Sequence, residues 1–228
     1  INKLKLNTIY NKKNDFRILS HSFNDESQLL RIKFKKYIKK IKLNLIGKIQ
    51  LKNILMAIIA AQKSNLSISK ILNVIPKLNS VEGRFERVGK LKNQSKVILD
   101  YAHTPDALKT CILNLKEQFP DKKIILLFGC GGNRDQNKRS KMGKVADTFS
   151  DKIYLTDDNP RYENSNKIRK DIKKGIKKKK VLEIPNRAKA INKAIENLVS
   201  GEILLVAGKG HEKTQDIGNR KIYFSDKK

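Results

Sequence analysis

A regular alternation of short apolar runs with longer amphipathic segments, beginning near Val88, most constrains the fold of this chain. The apolar runs have the length of buried strands, at 96–99, 124–128, 153–156, 181–184 and 203–207. The segments between them have helical spacing, at 105–119, 139–149, 165–178 and 187–199. This rhythm predicts an α/β fold, with a mostly parallel sheet covered on both faces by helices, as in Rossmann-like domains.

The residues before this region follow a different pattern. The apolar run 54–61 predicts a helix that is buried nearly all round, and 67–78 predicts a second helix with Ser67 as its cap. Residues 1 to about 40 are mixed polar and basic, and they predict no element. We therefore expect two domains, 1–83 and 84–228.

The charge of the chain is strongly basic, since 51 Lys and Arg against 22 Asp and Glu give a formal net charge of +29. Such a charge usually indicates nucleic acid or another anionic partner. Here the lysines are spread among Ile and Asn along the whole chain, as an AT-rich genome would produce, and aromatic residues for base stacking are few. We expect no nucleic-acid partner, but a basic nucleic-acid-binding module stays an alternative.

The few cysteines and histidines indicate in which cellular compartment the protein works. Cys111 and Cys130 are too few for a disulfide framework, and no metal spacing links them to the three histidines. We expect no metal site in this chain and a cytoplasmic location. No apolar run is long enough for a membrane span, no signal peptide opens the chain, and its first residue is Ile1, so we expect part of a longer protein.

Polar motifs follow the predicted strands at 100–103, 129–135, 157–161 and 208–212. Since functional loops lie at the carboxyl ends of parallel strands, these motifs should meet at one edge of the sheet. In the third motif, the planar fork of Arg161 suits a carboxylate, and Asp158 and Asn159 can hold an ammonium group. An amino acid fits such a site, although a polar turn that caps the next helix has the same pattern.

The other motifs carry weaker signals. The glycines at 129–132 let backbone amides approach a phosphate or carboxylate, but neither they nor 208–214 form the glycine-lysine loop of a triphosphate site. Asp100 and His103 directly follow a strand, and contact with a ligand and capping of the turn are equal interpretations. His211 suits a hydrogen bond within its loop, and the lysine-rich 170–180 segment is typical of a solvated face.

Taken in order, five segments, four of which contain these motifs, resemble motifs of the Mur ligases of peptidoglycan synthesis, from about Leu45 to the end of the chain. Within that family the likeness is to the ligases that add meso-diaminopimelate to UDP-N-acetylmuramoyl-L-alanyl-D-glutamate. The segments that carry it are Gly83-Arg84-Phe85-Glu86, 97–108 (VILDYAHTPDAL), 128–135 (FGCGGNRD), 156–161 (TDDNPR) and 207–212 (AGKGHE).

The resemblance implies that 84–228 is a Rossmann-like carboxyl-terminal domain that binds the amino acid, and that 1–83 is the end of the central ATP-binding α/β domain. It assigns meso-diaminopimelate binding to Arg134, Asp158, Asn159, Pro160, Arg161, Gly208 and Glu212. It assigns ATP contacts to Asn53, Arg84, Asp100 and His103. One departure is Gln50, where the family usually has Asn, so the nucleotide contact there is in doubt.

The implied reaction is ATP-dependent amide bond formation with Mg²⁺, through an acyl phosphate on the glutamate carboxylate. The resemblance places the catalytic and magnesium-binding residues upstream of this chain, so we expect none of them here and no turnover by these 228 residues alone. The expected partners are the UDP-N-acetylmuramoyl-dipeptide and meso-diaminopimelate, bound by a monomer in the bacterial cytoplasm without nucleic acid or membrane.

The substrate choice depends on Arg161. L-lysine has no distal carboxylate, so a site built for two carboxylates would leave this arginine unpaired. The residues of this motif, DNPR at 158–161, therefore favour meso-diaminopimelate as the substrate. A related Mur-type or folylpolyglutamate-type ligase for another amino acid, such as L-lysine, is the alternative from the same enzyme class.

Overall fold

The computed structural model describes residues 16–34 and 37–228. The chain divides into two compact units, one up to Ser80 and one over Val81–Lys228. This division lies slightly before the boundary at residue 83 that the sequence indicated. The assignment of the first unit to an ATP-binding domain stays a prediction.

The first unit contains an antiparallel sheet of β1 (Phe16–Asn24), β2 (Ser27–Phe34) and β3 (Tyr37–Leu43). Leu30 and Ile32 of β2 are buried in its core, while Leu29 and Arg31 are exposed and Lys33 is partly exposed. The sequence did not predict these strands, because basic residues on their outer faces obscure the alternation. The unit continues with α1 (Lys48–Lys63), α2 (Ile68–Val74) and a 3-10 turn over Ile75–Lys77.

Helix α1 corrects one expectation. The run 54–61 was expected to be buried nearly all round, but only Leu51 and Ile58 of this helix are buried, and Met56 is 51% exposed. The helix packs through one face against the apolar side of the three-stranded sheet and α2. Helix α2 begins as predicted, since the Ser67 hydroxyl accepts a hydrogen bond from the Lys70 amide.

The second unit is built on a six-stranded sheet with the order β4-β5-β9-β6-β7-β8. Its strands are β4 (Glu86–Lys90), β5 (Lys96–Asp100), β6 (Ile124–Phe128), β7 (Lys152–Leu155), β8 (Val181–Glu183) and β9 (Ile203–Ala207). Only β4 pairs antiparallel to its neighbour within this sheet. The predicted α/β fold with a mostly parallel sheet is therefore confirmed.

Four helices connect these strands: α3 (Pro105–Gln118), α4 (Asn137–Phe149), α5 (Ser165–Lys173) and α6 (Arg187–Glu196). Helix α6 covers one face of the sheet, where Ala190 and Ala194 pack against the strands. Helix α3 contacts β6, and α3, α4 and α5 pack side by side. A short hairpin of β10 (Thr214–Ile217) and β11 (Arg220–Tyr223) follows β9, and its polar, exposed residues gave no strand signal.

Helix α5 ends at Lys173, earlier than the end of the predicted segment 165–178. Beyond it, the carboxylate of Asp147 in α4 holds residues 177–179 in a non-helical conformation. This carboxylate accepts hydrogen bonds from the amides of Lys177, Lys178 and Lys179. Gly175 also lies against α4, where an added Cβ would be 1.8 Å from the Ser140 carbonyl oxygen. The lysine-rich segment therefore wraps around α4 instead of extending α5.

A buried ion pair fastens the carboxyl-terminal tail to the sheet. Arg187, at the start of α6, donates from Nε and Nη2 to the two carboxylate oxygens of Asp226, at 2.6 and 2.7 Å. Its Nη2 also donates to the Ala207 carbonyl at the end of β9, at 3.0 Å. Both side chains are almost fully buried, so solvent does not screen this pair.

We expect Asp226→Ala to lower the free energy of unfolding by about 3 to 5 kcal/mol, because it leaves the Arg187 charge buried without its counter-charge. Urea denaturation followed by circular dichroism would measure the change. Glu196→Ala is the matched control, since Glu196 pairs with Lys193 on the surface and should change the value by less than about 0.5 kcal/mol. Equal small effects would show that the tail is held by other contacts.

Candidate functional site

A cavity of about 380 Å³ opens at the carboxyl edge of the six-stranded sheet. Its walls come from the loops that follow β5, β6, β7 and β9, which the strand order places side by side. The predicted site residues among its lining are His103, Arg134, Asp158, Asn159, Arg161, Gly208 and Glu212. Sequence reasoning did not single out Tyr101, Thr104, Asp135 or Lys138 as binding residues, which also line it.

Arg84 and His103 both lie close to an aromatic ring at this edge. The guanidinium carbon of Arg84 is 4.5 Å from the centre of the Tyr101 ring, and the His103 ring centre is 4.7 Å away from it. Both side chains are exposed. His211 is exposed as well, with its ring centre 5.4 Å from that of Tyr101. This cluster places the positive charge of Arg84 and two histidine rings at the surface.

Asp100 is committed to the backbone around it. Its Oδ2 accepts a hydrogen bond from the Phe85 amide at 2.9 Å, and its Oδ1 accepts one from the Ala102 amide at 2.8 Å. These bonds join the segment before β4 to the end of β5, and Asp100 shapes this loop whatever else it binds. Asn53 belongs to the first unit, where it is exposed on α1 and donates to the Gln50 side chain at 3.2 Å.

The loop after β7 holds Arg161 in an uncommon backbone conformation, with φ +50°. The Arg161 amide donates to the Asp216 carbonyl at 2.9 Å, and its carbonyl accepts from the Gly218 amide at 2.7 Å. These bonds tie the loop to the β10–β11 hairpin and offset the cost of a left-handed residue. The Arg161 side chain then reaches the glycine loop, where Nη1 donates to the Gly132 carbonyl at 2.9 Å.

The glycines after β6 let two loops pack together. An added Cβ on Gly132 would lie 1.9 Å from the carbonyl oxygen of Pro160, and one on Gly131 would lie 2.9 Å from Arg161 Nη1. The Gly132 amide donates to the Asn159 carbonyl at 2.8 Å. The sequence had suggested that these glycines bring backbone amides to a ligand, but at Gly132 the amide serves the neighbouring loop. Pro160 contributes through this packing and is not part of the cavity lining.

Arg139, which is fully buried, connects the same two loops, and its Nη2 reaches the Gly131 carbonyl of the glycine loop at 3.5 Å. Its Nη2 donates to both carboxylate oxygens of Glu163, at 2.8 and 2.9 Å, and its Nη1 donates to Asp171 at 3.2 Å. Burial alone would raise the pKa of Glu163, but the hydrogen bonds from Arg139 and from the Asn133 amide hold it below its ordinary value. No sequence signal singled out Arg139, which is one of many basic residues in the chain.

Lys209 is fully buried under the cavity floor. Its ammonium group donates to Asn159 Oδ1 at 2.8 Å, to Glu212 Oε2 at 2.8 Å and to the Thr214 carbonyl at 2.7 Å. Asn159 Oδ1 also accepts from the Asp216 amide at 3.0 Å, and its Nδ2 donates to Glu212 Oε2 at 2.9 Å. The side-chain oxygen of Asn159 therefore already serves two protein donors, and Asn159 supports the wall of the cavity.

Glu212 and Asp158 place negative charge in the cavity. Burial alone would raise the pKa of Glu212, but hydrogen bonds from Lys209 and Asn159 and the charges of Lys209 and Arg161 hold it below its ordinary value. Asp158 Oδ1 accepts from the Asn159 amide at 2.7 Å, and Oδ2 lies 2.7 Å from where a Cβ on Gly208 would stand. Gly208 has φ +112°, so a larger residue there would be strained and would crowd Asp158.

The cavity therefore offers both signs of charge in a small volume. Arg134, Lys138 and Arg161 can pair with carboxylates, and Asp158 and Glu212 can pair with ammonium groups. Among residues 16–34 and 37–228, no cluster of three or more His, Cys, Asp or Glu side chains could hold a metal ion. In the same ranges, no helix has the length and apolar character needed to cross a membrane. A zwitterion with more than one charge of each sign fits this lining best.

A family model described as "Mur ligase, glutamate ligase domain" matches residues 83–210. A protein of Rickettsia bellii named UDP-N-acetylmuramoyl-L-alanyl-D-glutamate--2,6-diaminopimelate ligase is 44% identical over 183 residues, which are 80% of this chain and 38% of that protein. A protein of the same name from Rickettsia typhi is 37% identical over 226 residues, which are 99% of this chain and 45% of that protein.

Solved structures of related proteins also superpose on this chain. A structure of a UDP-N-acetylmuramoyl-L-alanyl-D-glutamate--2,6-diaminopimelate ligase superposes with a TM-score of 0.71 at 30% identity, covering 96% of this chain and 45% of the other. The folylpolyglutamate synthase of Mycobacterium tuberculosis, complexed with ADP, superposes with a TM-score of 0.67 at 18% identity, covering 86% of this chain and 45% of the other. At that identity the second likeness concerns the fold alone.

Glu163→Gln tests the lock between the two loops. Near neutral pH we expect it to lower the free energy of unfolding by about 2 to 3 kcal/mol, because Arg139 loses its main charged partner. The folded pKa of Glu163 lies below its ordinary value of 4.5, so its contribution is present above that pH and is lost as the pH falls through the folded pKa. The difference between variant and wild type should therefore shrink below about pH 4.5.

Denaturant unfolding at several pH values would measure this difference. Asp121→Asn is the matched control, because Asp121 is an exposed carboxylate in the same unit. A Glu163→Gln effect that does not depend on pH would contradict a charged Glu163 in the folded protein.

Proposed function

Because this chain belongs to the Mur ligase family, we propose that its second unit is the amino-acid-binding domain of an ATP-dependent ligase that adds meso-diaminopimelate to UDP-N-acetylmuramoyl-L-alanyl-D-glutamate. The cavity that combines two arginines with two carboxylates at the carboxyl edge of the sheet carries this proposal. The chain spans 38% and 45% of the two curated relatives described above. The activity, substrates and partners of the whole protein are therefore part of the proposal.

The charges of meso-diaminopimelate match those of the cavity. This amino acid has two ammonium and two carboxylate groups. Arg134 and Arg161 would bind one carboxylate each, and Asp158 and Glu212 would bind ammonium groups. L-lysine lacks the second carboxylate, so Arg161 would lose a partner in a partly buried site. The fixed loop contacts of Arg161 support this selectivity, because they keep its side chain from turning away.

The expected reaction forms one amide bond and consumes one ATP. ATP supplies the phosphoryl group that converts the glutamate carboxylate into an acyl phosphate, with release of ADP. One ammonium group of meso-diaminopimelate gives up a proton to solvent and becomes a neutral amine, which attacks the acyl carbon. The carbon–oxygen bond to phosphate breaks, phosphate leaves, and the nitrogen releases a second proton as the amide forms. The residues of this chain would bind and orient the amine, and their contribution to the rate would be positioning.

The described residues differ in how well they fit ATP and Mg²⁺. Arg84 and His103 are exposed beside the Tyr101 ring and could contact phosphate oxygens at the cavity mouth. Asp100 would act through the loop that it shapes. The assignment of Asn53 to ATP stays a prediction for the first unit, where its side chain is exposed on α1. For Mg²⁺ the described residues provide no cluster of three ligands, so no step is assigned to a metal held by this chain.

The setting of the reaction follows from its substrates. ATP, free meso-diaminopimelate and the uridine-linked dipeptide are small molecules of the bacterial cytoplasm, where we place the protein as a monomer. The buried, unpaired state of both cysteines agrees with a reducing compartment.

Calorimetric titration with meso-diaminopimelate and with L-lysine tests the proposal. We expect the chain to bind meso-diaminopimelate in preference to L-lysine. Arg161→Gln should weaken meso-diaminopimelate binding by roughly ten- to a hundredfold and change L-lysine binding little, because it removes the partner of the distal carboxylate. Arg220→Gln is the matched control, since Arg220 is exposed on the hairpin strand β11.

Circular dichroism would confirm that each variant is folded. Equal losses for both amino acids would count against Arg161 as the residue that recognises the distal carboxylate. Binding of neither amino acid by the folded wild-type chain would reject the second unit as a binding domain that acts by itself.

A further inference from the structure

Lys209 has no role in the sequence-based interpretation of the site. In the structure it hydrogen-bonds to two residues of the cavity lining, Asn159 and Glu212. It lies between Gly208 and Gly210, and its side chain is completely inaccessible to solvent. A lysine ammonium group has three donor hydrogens, and here they go to Asn159, Glu212 and the Thr214 carbonyl. All of its donor capacity is therefore used within the protein, and it has none left for a ligand.

We propose that Lys209 is the positioning residue of this site, which fixes the orientation and the negative charge of Glu212 for the ammonium group of the amino acid and at the same time fixes Asn159. This inference rests on the proposed function, in which Glu212 receives an ammonium group. The carboxylate of Glu212 meets Lys209 and Asn159 through one oxygen, Oε2, and its side chain is 29% exposed. One edge is thus anchored in the protein while the residue itself lines the cavity.

The surroundings of Glu212 explain why Lys209 matters more than the other charges. Lys209, Arg161 and Arg187 act on Glu212 as cations. The same cavity is also lined by the charged groups of Arg134, Lys138, Asp135 and Asp158, and His103 and His211 lie at the same edge. Arg161 and Arg187 act on Glu212 through charge alone, whereas Lys209 also donates a hydrogen bond. A charge-assisted hydrogen bond is stronger than the attraction of a screened charge at a distance. Lys209 should therefore have the largest influence on the charge and orientation of the Glu212 carboxylate.

Removal of the Lys209 charge should therefore move the titration of Glu212 in a defined direction. In the wild type the pKa of Glu212 lies below its ordinary value, although burial works against this. Without Lys209 the effect of burial is less opposed, so the pKa rises. Glu212 then becomes neutral at a higher pH than in the wild type, and ammonium binding is lost from the acidic side.

Lys209→Met is the test variant, because methionine keeps the length of the side chain and removes the charge and the donors. Lys213→Met is the matched control, since Lys213 is exposed in the same segment. The double variant Lys209→Met with Glu212→Gln removes both charges together and shows whether the two residues are coupled. The 228-residue chain is used throughout.

Two measurements apply to these variants. Carbon-13 NMR of the Glu212 carboxyl carbon, identified by its absence in Glu212→Gln, gives the pKa of Glu212 without any ligand. Calorimetric titration with meso-diaminopimelate over a pH series gives the affinity. For Lys209→Met we expect a raised Glu212 pKa, binding weakened by roughly tenfold or more at neutral pH, and an affinity profile displaced to higher pH. Lys213→Met should match the wild type in both measurements.

The outcomes separate this inference from the proposed function. An unchanged Glu212 pKa in Lys209→Met, or unchanged affinity at every pH, would overturn the positioning role. If the wild type does not bind meso-diaminopimelate, the proposed function fails, while the NMR titration still decides whether Lys209 controls Glu212. If Lys209→Met does not fold but the double variant does, the coupling is established; if neither folds, Lys209 is only structural and the proposal is rejected.

Discussion

The hydrogen bonding of β9 between β5 and β6 is the constraint on which the site depends. This strand is last of the parallel set in sequence but central in space, with parallel partners on both sides. Its carboxyl end therefore lies between the loops that follow β5 and β6, and close to the loop that follows β7. Gly208 and Glu212 enter the cavity only because of this order, since they are more than 45 residues away from the other motifs in sequence.

Buried cations fasten the loops that surround the cavity. Arg139 joins the glycine loop to the segment after β7, Lys209 joins that segment to the end of β9, and Arg187 joins the end of β9 to the carboxyl-terminal tail. Desolvation of each charge is unfavourable, and hydrogen-bonded carboxylates offset it in every case. These three residues therefore differ from the many lysines that give the chain its net charge of +29.

The residues around the cavity divide into those that support its wall and those that expose charge in its lining. Asn159, Pro160 and Gly132 are engaged with the neighbouring loops, which makes the geometry of the wall rigid. The arginines and carboxylates of the lining then stand on this rigid base, as a site needs for selectivity between similar ligands. The motif around Arg161 thus combines both tasks, since its backbone and Nη1 are bound to the protein while its side chain lines the cavity.

The sequence by itself determined the class of fold, the position of the parallel strands and the loops that line the cavity, because apolar runs and helical spacing are local patterns. It also determined the family, through the motifs that contain Arg161 and Glu212. The tertiary structure decided which residue does what: that Asn159 faces inward to Lys209, that Gly132 serves the packing of a loop, and that Arg139 is buried. The three strands before α1 and the exposed face of that helix were likewise settled only in three dimensions. Hydrogen-bond partners and burial depend on contacts between segments far apart in the chain, and no local pattern of residue types contains them.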